Sequence, residues 1–193
     1  MPQLVFATGN PNKVREVREP LAGTDFTVVS MRELGVTEDI PETEPTLAGN
    51  ALLKARYLHQ NYGYDCFSED TGLEIDALGG APGVTTARFA GPNATAADNI
   101  AKTLREMDGK TERAARFRTV MALILNGEEH LFHGVCEGTI TERPSGTDGF
   151  GYDPIFRPEG FDRTFAQTTK AEKNTVSHRG RALRGLIAFL QDH

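Results

Sequence analysis

Apolar and polar positions change their spacing several times along the 193-residue chain, and each change marks an element. "LVFA" at 4–7 is a short apolar run closed by Thr8-Gly9-Asn10, the pattern of a buried strand. Pro11 suits a first helical position and Asn10 the cap before it, which predicts a helix over 11–21. The β-branched "FTVVSM" at 26–31 predicts a second strand. Thr46 can cap a helix carrying Leu47, Ala51, Ala55 and Leu58 on one face. Residues 66–78 read as extended, with Leu73, Ile75 and Ala77 alternating against Glu74, Asp76 and Leu78. Thr95 can cap a helix with Ala97, Ile100, Ala101 and Leu104 on its apolar side. "FRTVMALIL" (117–125) and "HLFHGVCEGTI" (130–140) flank Asn126-Gly127 and so predict an antiparallel hairpin. Glycines and prolines scattered through 143–160 predict structured loops. A last helix, with Ser177 as its N-cap, carries Leu183, Leu186, Ile187 and Leu190 in one stripe. Early strand–helix alternation with a late hairpin predicts an α/β protein built on a mixed sheet.

Composition narrows the class. Hydrophobic content of 38% and charged content of 25% fit an ordinary globular chain, and the length suits one domain or two closely joined lobes. The start lacks a basic region followed by an apolar stretch, so no signal peptide is expected, and no run approaches a membrane span. Two cysteines, Cys66 and Cys136, fit buried thiols in a reducing cytosol, so a cytoplasmic location is expected. The formal charge of −6 argues against binding a nucleic-acid polymer. It does not argue against a small phosphorylated ligand that arrives with a metal ion.

Four stretches carry candidate chemistry. In "ATGNPNK" (7–13) a strand gives way to a helix start whose amides and dipole favour phosphate, with Lys13 adding a full charge. The Walker spacing is absent, and taken alone the stretch reads rather as an ordinary strand-to-helix turn with a surface lysine. "SEDTGLEIDALGGAPG" (68–83) packs Glu69, Asp70, Glu74 and Asp76 close together. Asp70, at a strand end beside Thr71, either holds Mg²⁺ or belongs to a solvated acidic edge strand, whereas neighbouring Glu69 points to the opposite face and turns away or stands behind. Glu74 and Asp76 read as structural or solvated. The acidic run 37–45 offers Glu38, Asp39, Glu42 and Glu44, one of which could complete a two-carboxylate site. "TDGFGYDPIF" (147–156) combines glycines with aromatics able to face a flat ligand. "KAEKNTVSHRG" (170–180) sets Lys170, Lys173, His178 and Arg179 at the positive end of the last helix, an unfavourable placement without an anion. No nucleophile elbow and no zinc spacing is present.

"ATGNPNK", "EDTGLEIDALGGAPGV", "GFGYDPIF" and "AEKNTVSHRG" together resemble, in order and spacing, the inosine triphosphate pyrophosphatase family, and the resemblance runs from Leu4 to the last helix. It implies a single domain over 1–193 with an elongated two-lobed α/β fold, a twisted mixed sheet flanked by helices and a nucleotide cleft between lobes. It implies Mg²⁺-dependent cleavage of dITP, ITP and XTP into nucleoside monophosphate and pyrophosphate, usually by a homodimer. Carried onto this sequence, Thr8, Gly9, Asn10, Pro11, Asn12 and Lys13 bind the triphosphate. Asp70 is the metal-linked general base and Thr71 contacts substrate. Phe150, Gly151, Tyr152 and Asp153 recognise base and sugar, while Lys173, His178 and Arg179 read the nucleotide. Glu42 is the favoured second metal ligand, with Glu44 the alternative. A pyrophosphatase for modified pyrimidine nucleotides, and a sensor that binds without hydrolysis, are the competing readings.

Overall fold

The computed structural model describes residues 1–193. Six strands form one sheet in the order β2-β1-β3-β4-β5-β6. They are β1 (Gln3–Phe6), β2 (Thr27–Ser30), β3 (Cys66–Ile75), β4 (Ala114–Leu125), β5 (Glu128–Ile140) and β6 (Phe156–Pro158). β1 runs parallel to β2 and to β3, and β5 runs antiparallel to β6, so the sheet is mixed as expected. The hairpin turn is the two residues Asn126 and Gly127, both with positive φ, which is the geometry that Asn-Gly adopts at little cost. Five helices accompany the sheet: α1 (Pro11–Leu21), α2 (Leu47–Tyr62), α3 (Ala96–Glu106), α4 (Lys170–Val176) and α5 (His178–Gln191).

The chain forms two compact units. One comprises Met1–Asp70, Thr119–Gly134 and Arg179–His193, and the other Thr71–Arg118 and Val135–His178. The first packs Leu4, Phe6, Val17, Leu21, Phe67, Met121, Leu123, Leu183 and Leu186 into one core. The second packs Leu73, Ile75, Met107, Phe117, Tyr152, Ile155, Phe156 and Phe165. Both cysteines are buried free thiols, and burial pushes the Cys66 thiol up to about 12. No helix is long and apolar enough to cross a membrane.

Three sequence expectations change. The extended reading of 66–78 ends at Ile75, because Asp76–Leu78 closes into a 3₁₀ turn finished by Gly79 at φ +64. Lys170 and Lys173 do not belong to the mouth of the last helix. They lie on α4, which Thr169 caps and which ends at Ser177, extended at ψ 154. Asp70 is the fifth of ten residues in β3 rather than a strand end. The pairing with β1 stops nearby: Phe6 faces Phe67, and Ala7 N–H donates to Phe67 O before the chain turns at Thr8. Asp70 is therefore mid-strand, but lies three residues beyond the last β1 partner.

Candidate active site

In the first unit the Thr8–Lys13 turn is built by its own side chains. Asn10 N–H donates to Thr8 Oγ1 at 3.1 Å, and Asn10 Oδ1 accepts from the amides of Asn12 and Lys13 at 2.9 and 3.4 Å. Pro11 has no N–H to offer. The helix-start amides expected to face a phosphate are thus largely spent on Asn10, and Gly9 N–H is left as the amide of this turn with no protein acceptor. Thr8, Gly9, Asn10 and Lys13 of the turn, but not Pro11 or Asn12, line a cavity of about 280 Å³ together with Met31, Glu38, Asp39, Ile40, Glu42 and Lys54.

Beneath it lies a buried charge network. Lys13 Nζ stands 2.7 Å from Glu69 Oε1. Glu69 is 1% exposed and accepts from Arg179 Nε and Nη2 at 2.6 and 3.0 Å, while Arg179 Nη1 donates to Glu16. Burial alone would push the Glu69 carboxyl up, but the Arg179 guanidinium and the Lys13 ammonium outweigh it and hold the carboxyl well below its usual range. Glu69 therefore points away from Asp70 yet not into solvent: of the two expected placements it takes the one behind, holding Lys13. Strand alternation sends it to the face opposite Asp70, where α1 brings Lys13 and α5 brings Arg179.

Asp70 faces α2. Lys54 Nζ lies 3.7 Å from Asp70 Oδ1, 2.8 Å from Glu42 Oε1 and 2.6 Å from Glu69 O. Burial pushes the Asp70 carboxyl up to about 6; Lys54 opposes the rise and Glu42 adds to it. Asp70 Oδ2 is buried with no hydrogen-bond partner. An ionised oxygen held that way is costly, and a cation would relieve it. No cluster of three or more His, Cys, Asp or Glu side chains exists to cage a metal. Two carboxylates, one with an unused oxygen, suit Mg²⁺, which binds through one or two carboxylates plus substrate phosphates and water. Glu42 lines the cavity, whereas Glu44 lines a different groove, and its backbone is clasped by the Asn50 amide at 2.9 and 3.2 Å.

The second unit holds Thr71 and the remaining residues. Asp153 Oδ2 accepts from Lys173 Nζ at 2.7 Å and from Phe150 N–H at 3.0 Å, and Lys173 Nζ sits 4.8 Å from the centre of the Phe150 ring. Gly149 has no room for a side chain, since a Cβ would fall 2.1 Å from Asp153 Oδ2. Gly151 takes φ +61. Tyr152 is buried and donates to Thr86 O at 2.6 Å, so its hydroxyl anchors the loop. His178 is buried and stacks on Phe117 at 4.5 Å. The boundary between the units falls between Asp70 and Thr71 and again between His178 and Arg179.

A sequence model for one protein family matches residues 4–189, nearly the whole chain. The chain belongs to the Ham1 family. A Flavobacterium johnsoniae protein named dITP/XTP pyrophosphatase is 50% identical over 188 residues, 97% of this chain and 97% of its own length. One of the same name from Yersinia pseudotuberculosis is 43% identical, with both chains fully covered. Among solved structures, a HAM1 protein from Coxiella burnetii matches with TM-score 0.92 and 39% identity over 100% of both chains. The Staphylococcus aureus Ham1 protein matches with TM-score 0.89 and 35% identity over 98% of each. The family resemblance drawn from four motifs is borne out, and the mixed sheet with flanking helices is the Ham1 fold.

Within this Ham1 chain, sequence reasoning missed Glu16 and gave Glu69 too small a part. It assigned nothing to Asn50 and Lys54, one turn apart on the helix that Thr46 caps. The i+4 spacing of Asn50 and Lys54 on a capped helix was the available signal: both are buried, and both face the acidic run 42–44. Glu16 offered none, because its partner Arg179 lies 163 positions away.

Proposed function

We propose that the whole chain, 1–193, acts as one pyrophosphatase domain that hydrolyses deaminated purine nucleoside triphosphates, dITP, ITP and XTP, to nucleoside monophosphate and pyrophosphate. The observation that carries this reading is the Asp70 carboxylate, with its unused buried oxygen, behind Lys54, which together with Glu42 and the Lys13 turn lines the cavity. The names of the relatives agree with it.

Triphosphate cleavage demands charge neutralisation more than covalent chemistry. Lys13 and Lys54 place two ammonium groups beside the phosphate chain, each already facing a carboxylate, and the Thr8–Lys13 turn holds the chain. Asp70, with its carboxyl raised toward neutrality, accepts the proton of a water that attacks the α-phosphorus while the bond to the β-phosphate breaks. Asp70 and Glu42 would hold Mg²⁺, which supplies positive charge to the phosphate oxygens and acidifies nearby water. Thr71 contacts the substrate beside Asp70. Phe150, Gly151, Tyr152 and Asp153 receive base and sugar, with Tyr152 fixing the loop through Thr86. Lys173 and His178 read the nucleotide. Arg179 is assigned to the same set, and its pairing with Glu69 and Glu16 supports a further part, holding the carboxylate that holds Lys13. The working form is a cytoplasmic homodimer.

Pyrophosphate release from ITP, dITP, XTP, ATP, GTP, dUTP and methylated dTTP analogues, with and without Mg²⁺, tests the proposal. Release from the first three only, and only with the metal, is expected. Release confined to the pyrimidines would replace the substrate class, and tight ITP binding without release would make the chain a sensor.

A further inference from the structure

Arg32 opens a short 3₁₀ turn, Arg32–Leu34, directly after β2. Its guanidinium packs on the phosphate turn: a Cβ at Gly9 would come 2.9 Å from Nη2 and 3.1 Å from Nε. Nη1 donates to Thr37 O at 2.5 Å and Nη2 meets Asp39 Oδ1 at 3.0 Å. Gly9 and Asp39 both line the cavity and Arg32 meets these two, whereas Asp70 meets Lys54, another residue of the same lining. The Asp39 side chain is 97% exposed and that of Arg32 40%. An ion pair that exposed contributes little and exchanges easily.

The local charge balance shows why it would exchange. Lys13 already faces Glu69, and Lys54 faces Glu42 and Asp70. Neither lysine brings uncompensated positive charge to an incoming triphosphate, which carries about four negative charges. Arg32 pairs directly with one carboxylate, that of solvated Asp39, and acts on exposed Glu38 only at longer range. A guanidinium presents a planar fork suited to two phosphate oxygens, and Gly9 N–H, without a protein acceptor, lies at the same place.

We propose that Asp39 occupies the place of a phosphate. When substrate binds, Arg32 exchanges the Asp39 carboxylate for oxygens of the pyrophosphate portion, with Gly9 N–H donating beside it. Arg32 is thus a further binding residue for the leaving group, and Asp39 a built-in competitor. This rests on the pyrophosphatase reading of the cavity.

The test is calorimetric binding of pyrophosphate, with Mg²⁺, to the full chain and to three variants. Arg32→Ala is expected to weaken binding about fivefold. Asp39→Ala is expected to tighten it about twofold, because the competitor and its repulsion are gone. If Arg32 merely pins residues 37–39, both variants weaken binding alike, and that result overturns the proposal. Asp39→Ala decides the matter even where Arg32→Ala folds poorly, since unchanged or weaker binding contradicts a competitor. Lys13→Ala separates the two levels: loss there with none in Arg32→Ala sinks this inference and spares the cavity reading. A wild-type chain that neither binds pyrophosphate nor releases it from ITP sinks both.

Discussion

Asp70 carries opposing demands on one side chain. Burial raises its carboxyl to about 6 from an ordinary value of 3.8, so folding favours its protonated form. Stability from a raised carboxyl is fully present below its unfolded pKa and is lost as pH climbs through about 6. At neutral pH the cost is on the order of 3 kcal/mol. Asp70→Asn should therefore melt higher than wild type at pH 7.5 and alike at pH 4, in buffer free of divalent cations, while turnover falls about 10³-fold. Thermal scans at the two pH values and a pyrophosphate assay check both halves; a variant that keeps its turnover removes Asp70 as the base. Lys13→Ala should weaken triphosphate binding roughly 10- to 100-fold with little effect on the nucleoside. Equal loss in both would take Lys13 off the phosphate. Glu42→Gln should raise the Mg²⁺ concentration for half-maximal rate about tenfold, and Glu44→Gln should leave it unchanged. Reversed results would move the second ligand to Glu44. Asp70 and Lys13 were legible through four short motifs taken together, although alone the Lys13 stretch read as an ordinary turn. Glu69 was not, since only the packing of α1 and α5 against one face of β3 shows what it touches.

Two helix starts separate scaffold from site. Asn10 caps α1 and shapes the Thr8–Lys13 turn, whereas Thr95 caps α3, a helix that carries no assigned residue, through a reciprocal pair with Asp98. Asn10→Ala and Thr95→Ala should each cost about 1 kcal/mol in urea melts. Only Asn10→Ala should also raise KM for ITP; a rise in both would mean that KM follows general loosening. Elements of this kind were legible before folding was considered. Asn10-Pro11, Thr46, Thr95 and Asn126-Gly127 are local signals, and the helices and hairpin they predict lie within a few residues of their expected bounds. α4 was not legible. Seven residues are too few for a periodic stripe, and its end at Ser177 depends on an extended residue that a helical pattern runs through.

The net charge of −6 gains a local meaning across the whole chain. The cavity is not a basic pocket. Its lysines are matched by Glu69, Glu42 and Asp70, so binding a polyphosphate requires added positive charge, which is why a metal ion is central to the proposal. The mixed α/β class and the four motifs were readable from the chain. The pairing of Glu16 with Arg179 and of Arg179 with Glu69 was not, because such contacts join residues 163 and 110 positions apart and leave no periodic trace. In the proposed reaction, water deprotonated at Asp70 enters at the α-phosphorus. Hydrolysis of ITP in ¹⁸O-labelled water, followed by mass spectrometry of both products, tests it directly. The account predicts the label in inosine monophosphate and none in pyrophosphate. Label in pyrophosphate, or orthophosphate as the first product, would contradict it.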